Sequence, residues 1–323
     1  MKITVLCGGV GGARFLRGLR EHMLSVPGEH ELTAIVNVGD DMWLTALRIA
    51  PDLDTIMYTL AGENDDVRGW GRKNESERVS GELRAYGVGW DWFTLGDLDI
   101  GTHLTRTHYL RSGLPLSAAT ARITSRWELG VRLIPATDDE VETRVHVDGG
   151  SMHFQEWWTR HRASLAAESF EYRNVEGATP APGVLEAIEG ADVILFAPSN
   201  PVVSIGPILA IPGIAAAVRS AAVPVVGVSP IIAGAVVRGM ADACLATIGV
   251  ETAADAVALH YGSRSAGGMI DAWLVDESDA AIVPRIEEAR IAARAVPLWM
   301  RDVPLSAAIA GAALDIAGLV RGD

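Results

Sequence analysis

Cysteine is nearly absent from this sequence: Cys7 and Cys244 are the only two in 323 residues, too few for a disulfide framework. Cys7 falls in an apolar run and reads as a small core residue, the usual fate of a free thiol. Basic residues are scarce as well. Lys and Arg number 27 against 41 Asp and Glu, a formal net charge of −14. That balance argues against a general nucleic-acid binder, which needs a basic face. It leaves room for a nucleotide, because one local pocket can oppose the global sign. The longer apolar stretches, such as 223–237, are broken by Pro and Gly, so none reads as a membrane span. Met1-Lys2 runs straight into Ile3-Thr4-Val5-Leu6 with no signal-peptide pattern, and the expected compartment is the cytosol.

What the chain does have is length and an ordinary 49% of hydrophobic residues, enough for one large α/β domain or two lobes. Ile3 to Leu6 reads as a short buried strand, followed by Gly8-Gly9-Val10-Gly11-Gly12 and a helical pattern from Ala13 to about Met23. Leu32 to Val38 reads as a second buried strand ending in Asn37-Val38-Gly39-Asp40-Asp41. The rhythm returns with strands at Asp192–Phe196, Pro224–Val228 and Met269–Val275, separated by helices and closed by one from about Leu305 to Val320. Alternating strands and helices predict an α/β fold with a doubly wound, mostly parallel, Rossmann-like sheet. Residues 1–69 and 183–323 are expected to form this core. Residues 70–182, mostly helical at first and then strand-rich around a Gly149-Gly150 hairpin signal, are expected to form an inserted lid or second lobe.

Three segments carry candidate chemistry. The first is Gly8 to Gly12 (Gly8, Gly9, Gly11 and Gly12), at the carboxyl end of a strand and the start of a helix. There, backbone N–H groups and the helix terminus favour a phosphate. It is not the dinucleotide fingerprint, because Arg14 stands where the third glycine belongs, nor a Walker loop. The second is acidic: Asp40-Asp41 after the second strand, and Asp52 and Asp54 ahead of an apolar stretch. Carboxylates at strand ends can hold Mg²⁺ beside a diphosphate. The competing use is a helix cap, and the two are compatible if Asp52 caps while Asp54 faces the pocket. The third is Pro198-Ser199-Asn200-Pro201 through Gly206, where prolines leave few N–H groups paired, so that Ser199, Asn200, Ser204 and free amides can meet a phosphate or ribose. In the middle region, Asp97, Asp99 and His103 lie near Trp90, Trp92 and Phe93, a polar–aromatic mixture that suits a planar ring. A tight turn, a rigid loop and a core histidine are the plainer readings of these features.

Together these segments resemble the 2-phospho-L-lactate transferase family, whose actinobacterial members are the phosphoenolpyruvate transferases of coenzyme F-420 synthesis. The matching stretches include Gly8–Gly12, Asn37–Asp41, Ala50–Thr55, Met57–Leu60, Gly69-Trp70-Gly71, Gly96-Asp97 with Thr102-His103, Leu133-Ile134-Pro135, Pro198–Pro207 and Val228–Ile232, in order along the chain. The resemblance implies a guanosine diphosphate-linked phospho-acid as donor and the terminal hydroxyl of a hydroxylated deazaflavin as acceptor, giving a phosphodiester and GMP. It implies that Asp40 and Asp54 bind Mg²⁺ or assist the attacking hydroxyl. The glycine loop with Ser199, Asn200, Ser204 and Gly206 holds the donor, and Trp92, Asp97 and His103 enclose the acceptor. It further implies a homodimer, and that Asp54→Ala abolishes transfer with the fold intact. The sequence departs from the family pattern at Leu98, at Arg238-Gly239-Met240 and at Asp65-Asp66-Val67. Two other readings remain to be tested: a nicotinamide oxidoreductase, and a non-catalytic nucleotide-binding regulator of the same superfamily.

Overall fold

The structure, a computed structural model, describes residues 1–66, 68–89 and 91–320. Val67 and Trp90 therefore lie outside the described residues. Seven strands form one central sheet: β1 (Lys2–Cys7), β2 (Glu31–Val36), β3 (Arg132–Pro135), β4 (Val193–Phe196), β5 (Val225–Val228), β6 (Ala272–Asp276) and β7 (Ala292–Val296). Every pairing in this sheet is parallel. Parallel strands covered on both faces need continuous apolar runs, and β1, β2, β4 and β5 are buried along almost their whole length.

The spatial order is β3-β2-β1-β4-β5-β6-β7. Chain direction across the sheet therefore reverses between β1 and β4, whose registers align Ile3 with Val193 and Leu6 with Phe196. In open α/β sheets the crevice beyond the carboxyl ends of such a strand pair is where ligands bind. Both loops singled out in the sequence, 8–12 and 198–206, leave from this point.

Helix α1 (Gly9–Ser25) follows β1, and α2 (Pro51–Ala61) follows a short antiparallel hairpin of Met42–Leu44 and Leu47–Ile49. Helix α3 (Asp97–Arg111) covers that hairpin, and α4 (Val303–Val320) closes the chain. Small residues let α1 and α4 touch closely: a Cβ on Gly18 would lie 2.3 Å from the Ser306 carbonyl carbon. By length and composition α4 is apolar enough to cross a bilayer, a property the sequence reading passed over. Here its inner face (Ile309, Ala310, Ala313, Ile316 and Ala317) is buried in the main core with α1 and the sheet.

The expected single insertion over 70–182 is corrected by β3, which lies inside that range yet pairs with β2 in the central sheet. What remains is two separate pieces. One is helical, from the hairpin to Thr124. The other is an antiparallel sheet of Glu142–Val147, Gly150–His153 and Ala167–Arg173, with the expected hairpin turn at Asp148-Gly149. The antiparallel piece leans on the strand tips. Thr143 donates its amide to the Gly39 carbonyl at 2.6 Å, and Tyr172 donates its hydroxyl to the Val202 carbonyl.

Candidate active site

The two loops at the β1–β4 switch point are stapled to each other. Ser199 Oγ accepts from the Gly8 amide at 3.1 Å and donates to the Gly8 carbonyl at 2.8 Å. Gly11 passes so close to the second loop that a Cβ would sit 2.3 Å from the Pro198 carbonyl oxygen. Gly9 adopts φ +61, a left-handed conformation that a side chain would strain. Asn200 spends its side-chain oxygen on the wide helical turn Pro201–Ile205, accepting from the Val202 and Val203 amides at 2.9 and 3.2 Å. Ser204 lies beside Gly8, and Gly12 packs against Cys7 and Ser199. Gly206 follows as the first residue of the helix Gly206–Ala210. The structure thus brings Gly8, Gly9, Gly11, Gly12, Ser199 and Ser204 together, with Asn200 as a brace.

The carboxylates divide into two sets. Asp40, Asp41 and Asp52 gather at the strand tips. Asp52 accepts from Asn37 Nδ2 at 2.9 Å and from the Gly9 amide, which places it directly under the glycine loop. Asn37 is fixed in turn by donating to the Val203 carbonyl at 3.1 Å, so β2 and both loops share one polar joint. Capping of α2 by Asp52 or Asp54 was the plainer alternative, but the cap position falls to Ala50, and no side chain caps the helix. Asp40 accepts from Gln155 Nε2 at 3.1 Å, while its other oxygen, Oδ1, is buried without a hydrogen-bond partner. Asp41 Oδ1 is likewise orphaned; its Oδ2 faces Arg48 Nη2 at 3.4 Å.

Burial, then Asp52, then Asp41 push the Asp40 carboxyl well above the usual range. Burial raises Asp41 to about 7 against the pull of Arg48 and Arg106, and raises Asp52 to about 6 against its two hydrogen bonds.

The second set is neutralised internally. Both oxygens of Asp54 are taken by Arg106, Nη1 donating to Oδ2 at 3.0 Å and Nη2 to Oδ1. Arg106 Nη1 also meets His103 Nδ1 at 3.2 Å, and His103 Nε2 stands 3.3 Å from Asp99 Oδ2. Tyr58 donates to the other Asp99 oxygen at 2.7 Å. Burial alone would raise Asp99, but His103, Tyr58 and Arg106 hold it below the usual carboxylate range. Asp54, Asp99 and His103 are close enough to share an ion, yet Arg106 already supplies the positive charge there.

The acceptor residues named from the sequence do not converge. His103 belongs to the Asp54–Arg106 network. Asp97 instead ties down a loop, accepting from the Ser76 amide at 2.9 Å and the Ser76 hydroxyl at 2.8 Å. Trp92 is half-buried, edge-on to Phe93 at 5.9 Å.

The profile of the 2-phospho-L-lactate transferase CofD family matches residues 3–297. The chain belongs to this family. It is 53% identical to a protein of Mycolicibacterium smegmatis, the match covering 99% of each chain. With a Thermobifida fusca protein it shares 56%, over 98% of each, and with a Streptomyces griseus protein 55%, over 99% of this chain and all of that one. All three are named phosphoenolpyruvate transferase. Among solved structures, a member of the UPF0052 family, BH3568 of Bacillus halodurans, superposes with a TM-score of 0.64 over 97% of this chain and 98% of its own. At 15% identity that likeness concerns the fold alone.

Within this transferase family member, sequence reading passed over Arg106, Arg48, Asn37 and Gln155 as site residues. One signal was available. Asp99, His103 and Arg106 recur at i, i+4 and i+7 on α3 and so share one helix face, which here is buried and polar.

The strand-tip carboxylates set the sign of a pH effect. Asp41 and Asp52 hold folded pKa values of about 7 and about 6, above the ordinary ~3.9 of an unfolded Asp. Between roughly pH 5 and 7 the folded protein then binds more protons than the unfolded chain, so this contribution to stability falls as pH rises. The protein is expected to melt at a higher temperature at pH 5.5 than at pH 7.5. Melting curves at the two pH values check this.

Proposed function

We propose that this family member transfers a phosphoenolpyruvyl group, or its 2-phospholactyl counterpart, from a guanosine diphosphate-linked donor to the terminal hydroxyl of a deazaflavin alcohol. The products would be the phosphodiester precursor of coenzyme F-420 and GMP. The observation that carries this reading is the meeting, at one switch point, of a phosphate-type glycine loop and two buried aspartates with orphaned oxygens. Enolpyruvate is preferred over lactate because relatives at 53–56% identity carry that name.

The donor set fits Mg²⁺: hard carboxylate oxygens, with Asp40 Oδ1 buried and unpaired beside Asp52. Asp54 was expected to partner Asp40 in holding the ion, but its charge is already offset by the Arg106 guanidinium, whereas Asp52 accepts only from the neutral N–H groups of Asn37 and Gly9. We therefore assign the ion to Asp40 and Asp52, with Asp41 behind them. When bound, Mg²⁺ would offset the charge of these carboxylates and of the diphosphate. The amides of the glycine loop and the N-terminus of α1 hold the phosphate oxygens. Ser199 and Asn200 keep the facing loop rigid, so that positioning carries much of the rate.

In the reaction, the acceptor oxygen bonds to the distal phosphorus, and the bridging P–O bond breaks toward GMP. The hydroxyl proton passes to a strand-tip carboxylate that the ion does not engage, Asp41, whose Oδ1 is buried without a hydrogen-bond partner. The Asp54–Arg106–His103–Asp99 network lies behind this centre, touching it through Arg48, whose carbonyl accepts from Arg106 Nη1 and whose Nη2 faces Asp41. Cytosolic location and a homodimer complete the proposal. The family match and the transferase-named relatives favour it over a nicotinamide oxidoreductase and over a non-catalytic regulator.

The test incubates purified protein with deazaflavin alcohol, each activated donor and Mg²⁺, and follows products by mass spectrometry. The expected outcome is a product heavier by the phosphoenolpyruvyl group together with stoichiometric GMP. Absence of product with both donors would refute the proposal.

A further inference from the structure

In a chain with 14 more negative than positive charges, two arginines, Arg14 and Arg238, both approach the backbone at Gly69. Arg14 lies on the second turn of α1. With Val10 it lines a narrow cleft bounded by Thr55 and Thr59 of α2 and by Gly69. Arg238 arrives from the other side of the switch point, after the short hairpin of Ile231–Ile232 and Ala235–Val236. Its guanidinium lies against Gly69, where a Cβ would sit 1.8 Å from Nη2, and it donates to the Arg68 carbonyl at 3.3 Å.

The neighbours are occupied elsewhere. Arg68 pairs with Asp65 at 3.0 Å and Glu75 at 2.7 Å. Asp66, on the same cleft, accepts from Asn64 at 2.8 Å. Among the described residues no ion pair joins Arg14 or Arg238 to an acid. Burial, and then Arg14, make the charged form of Arg238 less favourable, as expected of two neighbouring cations. Such a pair costs electrostatic energy unless an anion sits between its arms, and guanidinium groups bind carboxylate and phosphate oxygens through paired N–H donors.

We propose that Arg14 and Arg238 form a two-armed clamp for an anionic group of the donor, a phosphate or the carboxylate of its phospho-acid, closing over the glycine loop from opposite sides of the switch point. The clamp deepens the transferase reading and rests on it for the identity of the donor. It also explains how a strongly acidic chain retains a trianionic ligand beside buried carboxylates. Its arms come from α1 and from the segment after β5, so only a ligand that spans the crevice engages both.

The test is calorimetric titration of the full chain, in Mg²⁺ and without acceptor, using three probes: pyrophosphate, GDP and phosphoenolpyruvate. Arg14→Gln, Arg238→Gln and the double variant are compared with wild type. Loss of one charge-assisted contact is expected to weaken binding about tenfold or more. The double variant should lose less than the product of the single losses, because one anion bridges both arms. Weakening of pyrophosphate and GDP together places the clamp on phosphate; weakening confined to phosphoenolpyruvate places it on the carboxylate. Unchanged affinity for all three probes overturns the clamp, as does wild-type protein that binds none of them. Melting temperatures that hold or rise in the variants separate lost binding from lost folding. Because no turnover is measured, failure to form the deazaflavin product would sink the proposed function while leaving this result standing.

Discussion

Asp52→Asn is expected to lower transfer by about a hundred- to thousandfold at saturating substrates, the scale seen when one charge-stabilising group is removed from a site. Stability should hold or rise in the same variant. Asp52 is a buried carboxylate raised to about 6, and it pushes the Asp40 carboxyl upward in turn. Replacing it with a neutral amide of the same shape removes that repulsion; its single oxygen serves either Asn37 Nδ2 or the Gly9 amide, and relief of the repulsion is expected to outweigh the one hydrogen bond lost. Such opposition of activity and stability is what a site built on electrostatic strain produces. Single-turnover assays and urea unfolding on the same preparation check both halves. A variant with wild-type turnover, or one that loses activity only by unfolding, contradicts this assignment.

The largest stability effect is expected at Arg106. Arg106→Met leaves Asp54 buried with both oxygens unpaired, and breaking a buried ion pair from one side costs about 3–5 kcal/mol. Asp54→Ala strands the guanidinium in the same way. The sequence-based expectation that Asp54→Ala spares the fold is therefore revised: the variant should be destabilised as well as inactive. The double variant Asp54→Ala/Arg106→Met should be destabilised by less than the sum of the singles, because it leaves no uncompensated charge. Denaturant midpoints for the four proteins give the coupling directly. Additive losses would show that the two residues do not act as a pair.

These two predictions also mark where sequence reading succeeds and where it stops. Strands β1, β2, β4 and β5 were legible because each is a short apolar run bounded by Gly, Pro or Asp, the pattern of a strand buried on both faces. Both ligand loops were legible for the same reason, since they follow those runs. β7 was not: its sequence, Ala-Ala-Arg-Ala-Val, has a poor strand composition and sits half-buried at the sheet edge. β3 was placed in the wrong unit because membership of a sheet is decided by long-range pairing, which local pattern does not encode. Asp52 and Asp54 part company for a geometric reason. Two residues apart on a helix point roughly 200° away from each other, so one faces the glycine loop and the other faces α3. Spacing shows that they diverge, and only the fold shows which goes where.

The central claim is that the loop-side aspartates, Asp40 and Asp52, hold the cation, while Asp54 is held by Arg106. Mn²⁺ titration followed by electron paramagnetic resonance, in the presence of GDP, tests it most directly. Wild type and Asp54→Asn are expected to bind one Mn²⁺ per chain, and Asp40→Asn and Asp52→Asn to lose it. Retention of the ion by Asp40→Asn and Asp52→Asn, with loss in a folded Asp54→Asn, would contradict the account.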